Sequence, residues 1–412
     1  MNRSIKLAFA VIFVLAYCAA CRAESWDEVK ALAEKHNNEL AASKKLVQAY
    51  EWSYKRAYSG FLPHLSANAS MTESENSESD EPEKSYSLGL SATQSIFNGM
   101  QNIWGLETAY SDYQYYLASF RNTEANVYYD VRSAFIDLLV AGKNVDLLRQ
   151  ILEQRKENSR LIKLRYESGN EDKGNLMQTQ ADEADAKYNL SVAESELKLA
   201  KLKLSQLLSA EVVSAEADLA VESVQLEDIE ALTEQSPAYI MAEYQLESAE
   251  IAKKSAISGF LPSLSLSGNW NKRGDEWPPE DTESRSWSLN LSYSFFPGGS
   301  NFVDAVIYDL RLEKAKQDFE KSTKETRYSI EEAYENFKNS VQALEVKEFA
   351  LKASGTRAKI GKAKYLNGLL TFDEWNRIED EYISAQNGLL SSRRNALMAE
   401  ASWLKSYGGY VK

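Results

Sequence analysis

The sequence predicts a mainly α-helical chain with a β-barrel portion, built from a duplicated unit of helix, β-hairpin and long helical hairpin. Three observations predict it. The phrase SGFLPHLS at 59–66 returns as SGFLPSLS at 258–265, 199 residues later. The seven prolines (Pro63, Pro82, Pro237, Pro262, Pro278, Pro279 and Pro297) leave 83–236 and everything beyond 297 without one. Each copy of the phrase opens onto alternating apolar and small polar residues, the period of a strand with two unlike faces.

The first residues read as an export signal, 1–23. Arg3 and Lys6 precede an apolar run from Leu7 to Ala20, shorter than a membrane-spanning helix, and Cys21-Arg22-Ala23 offers a small-x-small cleavage site. Cys21 also admits lipidation, but Cys18 stands three residues before it, where a branched aliphatic is expected, and ordinary cleavage is the preferred reading. Cys18 and Cys21 are the only cysteines, so the mature chain has no internal disulfide and no cysteine metal site. Loss of Arg3, Lys6 and Arg22 takes the formal net charge from −14 to −17, which disfavours nucleic acid as a partner. No later stretch has the length and apolarity of a transmembrane helix, so any crossing of a membrane falls to strands.

The first repeat is expected over 24–209. Proline costs about 3 kcal/mol inside a helix, so proline-free stretches rich in Ala, Leu, Glu, Lys, Gln and Arg can hold long helices. Heptads support this. Leu190, Leu197 and Leu204 are seven apart with Ala193, Ala200 and Leu207 in companion positions, and Ile383, Leu390, Leu397 and Leu404 keep the period in the second half. From about Asn98 to Tyr166, and from about Asn301 to Tyr365, nothing stops a helix, and at 1.5 Å per residue each would extend roughly 100 Å.

Strands are expected at about 63–73 and 84–97, with a long helical hairpin over 99–209. The second repeat, 237–407, repeats the plan with strands at about 262–273 and 285–297 and a hairpin over 299–407. The segment 210–236 links the two, and 408–412 is a tail. Leu65, Ala67, Ala69 and Met71 alternate with Ser66, Asn68, Ser70 and Thr72, and Trp287, Leu289, Leu291 and Tyr293 with Ser288, Asn290 and Ser292. A soluble sandwich would also alternate. The Ser, Thr, Asn and Gly face, the aromatics at the strand ends and the length of about ten residues favour a barrel in lipid. Four strands cannot close alone and open edges are not tolerated in a bilayer, so neighbouring chains must supply the rest. At the helix-to-strand junctions Gly60 and Gly259 release the helix, Pro63 and Pro262 forbid its continuation, and Phe61 and Phe260 offer interfacial anchors.

The repeat continues: SYSLGLS at 85–91 parallels SWSLNLS at 286–292, SIFNG at 95–99 parallels SFFPG at 294–298, and Tyr166-Glu-Ser-Gly169 parallels Tyr365-Leu-Asn-Gly368. With the closing LKSYGG at 404–409, these motifs make the sequence resemble the TolC-type outer membrane efflux proteins over about 24–407. The resemblance implies a homotrimer whose twelve strands form one transmembrane β-barrel, continued by a periplasmic α-helical barrel, with 210–236 and the C-terminal tail in a collar. It implies an exit duct in the bacterial outer membrane with a long periplasmic portion. Its partners would be outer-membrane lipid, a periplasmic adaptor and an inner-membrane transporter of RND, ABC or MFS type, in an efflux pump or a type I secretion system.

The resemblance also implies a periplasmic gate just past the Tyr-x-x-Gly turns. Six residues beyond each glycine stand Asn175 and Glu374. Nine beyond stand Gln178 and Arg377, so a second acidic ring is missing. Asp172, Lys173 and Asp373 are close enough to contribute. Acidic residues also suit a solvated helix start, where they favour the dipole. Tyr166, Gly169, Tyr365 and Gly368 are expected to fix the turns. Catalysis has little support: His36 and His64 are the only histidines, no cofactor motif is present, and no GxxxxGK[ST] loop supplies energy. The rival reading is a periplasmic coiled-coil adaptor or scaffold without a channel.

Overall fold

The computed structural model describes residues 25–74, 83–212, 214, 221 and 228–409. The expected signal peptide with Cys21, most of the 210–236 linker and the end of the tail lie outside these. The order is α1 (Trp26–His36), α2 (Asn38–Ala57), β1 (His64–Ser74), β2 (Glu83–Asn98), α3 (Gln101–Glu167), α4 (Lys173–Leu208), α5 (Ile229–Gln235), α6 (Pro237–Ser255), β3 (Ser263–Gly274), β4 (Thr282–Ser292), α7 (Ser300–Leu366) and α8 (Phe372–Ser406). The helices α3 and α7 are 67 residues each, about 100 Å at the ordinary rise. No described helix is long and apolar enough to cross a membrane. The described residues divide into two compact units, one of Lys44–Phe120 with Pro237–Lys324, the other of the remaining described residues.

The first unit carries an antiparallel sheet in the order β1-β2-β3-β4, so β1 and β4 are its edges. Register pairs Leu65 with Ala92, Ala67 with Leu90, Leu266 with Leu289 and Leu264 with Leu291 on one face. The other face carries serine ladders, with Oγ separations of 2.6 Å for Ser66–Ser91, 2.7 Å for Ser70–Ser87 and 2.9 Å for Ser267–Ser288. The two hairpins are not equal. The strand β2 spans 16 residues with an irregularity between Ser95 and Phe97, whereas β4 ends at Ser292 and not near 297. Tyr293 to Pro297, ahead of the positive-φ pair Gly298 and Gly299, carries no strand.

At both junctions the helix tightens into a 3₁₀ turn, Tyr58–Phe61 and Ala256–Phe260, and the next residue is extended. Gly60 and Gly259 do not adopt a positive φ. Their role is close approach. The Asn102 amide donates to the Gly60 carbonyl, and the Asn301 amide to that of Gly259, each from 42 residues away. A Cβ would lie 2.7 Å from Asn102 Oδ1 at Gly60 and 3.0 Å from Asn301 Oδ1 at Gly259, pushing those amides off their acceptors. Gly99 does require its freedom: its φ is +64°, and a Cβ there would meet the Ser258 carbonyl at 2.9 Å.

In the other unit α1 begins with a capping box, Ser25 and Glu28 bonding each other's backbone. Trp26, Val29 and Ala33 pack with Val131 and Phe135 of α3, Leu204 and Leu208 of α4 and Leu397 of α8. The heptad residues Leu197, Ala200, Leu207 and Leu390 border this cluster. Asn37 Nδ2 donates to the Leu207 carbonyl at 3.0 Å, while its Oδ1 accepts from the amides of Glu39 and Leu40. One side chain thereby caps α2 and ties it to α4.

Candidate functional site: the tips of the helical hairpins

Each long helix ends in the same turn. Gly169 and Gly368 have φ of +76° and +72°. Gly169 N–H donates to the Tyr166 carbonyl and Asn170 N–H to that of Arg165; Gly368 and Leu369 do the same to Tyr365 and Lys364. These are Schellman caps, and the Tyr-x-x-Gly spacing follows from them, with glycine at the left-handed position.

The returning helices are capped at once. Asp172 accepts from the Asn175 amide at 2.9 Å. Thr371 and Glu374 form a capping box, with Glu374 Oε2 accepting from Thr371 N at 3.1 Å and from Thr371 Oγ1 at 3.0 Å. The position six past the glycine is thus N3 of the returning helix in both hairpins. Bonds from the Thr371 backbone and hydroxyl, with Arg377 nearby, hold the exposed Glu374 carboxyl below its ordinary range. Asp373 is exposed in the first turn of α8, and Lys173 opens α4. Gln178 donates to Asp182 at 2.8 Å and Arg377 to Glu381 at 2.7 Å, each along its own helix.

Other residues join the two hairpins. Tyr365 is 2% exposed and stacks on Trp375 at 4.5 Å and 7°, with Phe372 edge-on and the Arg165 guanidinium 4.9 Å above its ring. Its hydroxyl donates to Glu171, whose other oxygen accepts from Asn175 Nδ2 at 2.8 Å. Burial, with the neighbouring Glu171, pushes the Tyr365 phenol well up. Tyr166, its counterpart in the first repeat, is 40% exposed.

Deeper in the hairpins, the Glu379 carboxylate is 2% exposed and accepts from Trp375 Nε1 at 3.2 Å and from the Gln154 amide. Arg155 donates to Asn376 Oδ1 at 3.3 Å, pairs with Asp380, and lies 3.8 Å from Asp182. The described bonds of Glu374, Asp172, Gln178 and Arg377 stay within their own turns or helices. Tyr365–Glu171, Gln154–Glu379 and Arg155–Asp380 make the cross-links, and of these residues only Tyr365 was singled out from sequence. The Thr371-x-x-Glu374 spacing is a capping signature that could have marked this helix start, whereas no sequence signal marks the partners across hairpins.

Burial raises the Glu379 carboxyl above its ordinary value near 4.5, against the pull of Trp375, Gln154, Lys362 and Arg155. The native state therefore binds this proton more readily than the unfolded chain. Its contribution to stability falls as pH rises from about 4.5 through the raised folded value. Measured by melting temperature, Glu379→Gln should fare better against wild type at pH 7 than at pH 4, because only the glutamate gains a buried charge as pH rises. A loss at pH 7 that exceeds the loss at pH 4 would contradict this placement of the charge.

His36 lies in the last turn of α1, and His64 opens β1 opposite Thr93. Among the described residues, no group of three or more His, Cys, Asp or Glu side chains is placed to hold a metal.

The model of a family described as outer membrane efflux protein matches residues 30–210 and again 229–409. This chain belongs to the outer membrane efflux protein family. The double match coincides with the duplicated helices and hairpins, and it places the protein in the outer membrane as a transport channel. Comparison with curated protein sequences gives no match.

Among solved structures, this fold recurs in CusC, studied for folding and transmembrane channel formation, at TM-score 0.84 and 17% identity over 93% of this chain and 92% of that one. The open state of the Neisseria gonorrhoeae MtrE outer membrane channel gives 0.82 and 18% over 93% and 89%. The Vibrio cholerae outer membrane protein VceC gives 0.80 and 17% over 94% and 97%. At such identities the likeness establishes the shared fold.

Proposed function

We propose that three copies of this efflux protein assemble into a twelve-stranded barrel above a periplasmic helical tunnel. The assembly is a passive exit duct, fed by an inner-membrane transporter of RND, ABC or MFS type through a periplasmic adaptor, in an efflux pump or a type I secretion system. The observation that carries this reading is the sheet itself: one apolar face, one serine-lined face, and two edge strands that only another chain can pair. The family match favours the duct over a periplasmic scaffold.

The duplication supports one seam for this ring. Within the chain, Ser111 Oγ of α3 lies 3.2 Å from the Tyr244 carbonyl and 3.4 Å from Glu247 Oε2 of α6. Shifted by the 199-residue repeat, these become Leu310 on α7 and Lys45 and Gln48 on α2. In a closed ring the α7 of one copy would meet the α2 of the next at these residues. Leu310, and Leu46 next to Lys45 in sequence, are exposed in the single chain. The variant Gln48→Cys with Leu310→Cys should form disulfide-linked dimers and trimers on oxidation, whereas either single variant should not. Only monomers in the double variant would count against the ring.

In the ring, the ionised Glu374 of three copies would bring three carboxylates to the tips, attracting cations and repelling one another. Asp373, Asp172, Asn175, Gln178 and Arg377 stand at the same level of the two hairpins and would share that mouth. Glu374→Gln keeps a hydrogen-bonding side chain at N3 and removes the charge. It should weaken divalent-cation block and raise single-channel conductance. Unchanged block and conductance would remove Glu374 from the gate.

A further inference from the structure

Charge on the apolar face of the sheet is confined to one end. Register puts Lys272 opposite Leu88 and Glu283, Arg285 opposite Trp270, and Lys84 opposite Glu73, all on the face of Leu65, Leu90 and Leu291. Each of these charges lies within four residues of the strand end that meets the hairpin loop, away from the helices. At the helix end the same face offers Leu65, Ala92, Leu264 and Leu291. The charged end carries three cations against two anions, on a chain whose net charge is strongly negative.

These groups are arranged among aromatics. Glu283 Oε1 accepts from Trp270 Nε1 at 3.0 Å and from Arg285 Nε and Nη2 at 2.9 and 2.6 Å. The pairing orients Trp270 yet leaves the Arg285 side chain 79% exposed. Trp287, next along β4 on the same face, is also 79% exposed. The Lys84–Glu73 contact is long, 3.9 Å, with both side chains about half exposed. Hydrocarbon excludes such charges, so they must sit at headgroup depth, where guanidinium and ammonium groups meet phosphate.

We propose that this rim binds the phosphate groups of an anionic glycolipid of the outer leaflet, with Lys84, Lys272 and Arg285 on phosphate and Trp270 and Trp287 against sugar and acyl chain. A neutral headgroup would explain the aromatics alone, since interfacial Trp and Tyr are general. It would not explain an excess of cations on the lipid face at one leaflet only. The inference rests on the barrel reading, which sets this face against lipid.

The test uses the full-length protein in neutral detergent, titrated with purified lipid A and followed by tryptophan fluorescence. Wild type should bind saturably, and Lys84→Ala/Lys272→Ala/Arg285→Ala should bind at least about tenfold more weakly. Lys84→Arg/Lys272→Arg should bind as wild type does. Glu283→Gln, which frees Arg285, should bind several-fold more tightly, a gain that a folding defect would not produce. Equal binding by wild type and the triple variant would overturn the proposal. So would full displacement by 10 mM inorganic phosphate, which would mark a site for soluble anions. Conductance of the same preparations separates the two readings: a conducting triple variant with undiminished lipid binding removes only the lipid site, and a non-conducting wild type removes the barrel.

Discussion

Tyr365→Ala is expected to cost the hairpin tips about 3–5 kcal/mol and to raise single-channel conductance several-fold. The ring is almost fully buried, stacked on Trp375 and covered by Arg165, so truncation leaves a cavity between the two turns. It also removes the only hydroxyl shown bonding Glu171 from the other hairpin. Tyr365→Phe separates these effects. It keeps the stack and leaves Glu171 short of one donor, a loss of about 1–2 kcal/mol. Conductance should rise in the order wild type, Phe, Ala. Tyr166→Ala, at the exposed counterpart in the single chain, should change monomer stability far less, and equal losses at the two tyrosines would contradict the asymmetry of the tips.

Arg155→Ala is the second large effect expected. Its side chain is only 11% exposed, lies between Asp182 of α4 and Asp380 of α8, and also donates to Asn376. Deleting it leaves two carboxylates facing each other across the hairpins. A loss of about 2 kcal/mol is expected, discounted because Asp380 is half exposed. Arg155→Lys should recover little, since an ammonium cannot present the fork that serves three partners. Amide hydrogen exchange should accelerate over residues 372–382 and 173–182 in both variants. Unaltered protection there would show that Arg155 does not hold the hairpins together.

Much of the fold was legible because it is written twice. The 199-residue shift that carries SGFLP onto SGFLP also carries Gln101–Glu167 onto Ser300–Leu366, helix for helix. Proline placement and heptads locate long helices through backbone and periodicity alone, without knowledge of neighbours. Where the halves diverge, the repeat misleads: Tyr293-Ser294-Phe295 continues the alternation, yet β4 stops at Ser292. The junction glycines were legible as breakers but not as the clearance for Asn102 and Asn301, because those amides arrive from 42 residues downstream.

At the tips, motif spacing located the turns. It could not distinguish Tyr365, buried between hairpins, from Tyr166: both carry the Tyr-x-x-Gly spacing, and the difference lies ten residues on, where Trp375 follows Tyr365 but Leu176 follows Tyr166. Glu171 and Glu379 were indistinguishable in sequence from the many solvated acids around them. Their partners, Tyr365 for one and Gln154 for the other, lie 194 and 225 residues away.

If identical sheets close edge to edge in lipid around a water path, as we propose, the duct must pass ions. Ion conductance of detergent-extracted, reconstituted protein across a planar bilayer tests it most directly. Discrete, stepwise conductance increments from the trimeric fraction are predicted, with the Gln48→Cys/Leu310→Cys trimer conducting after oxidation. A bilayer that stays silent at every voltage and salt concentration, with the protein demonstrably inserted, would contradict it.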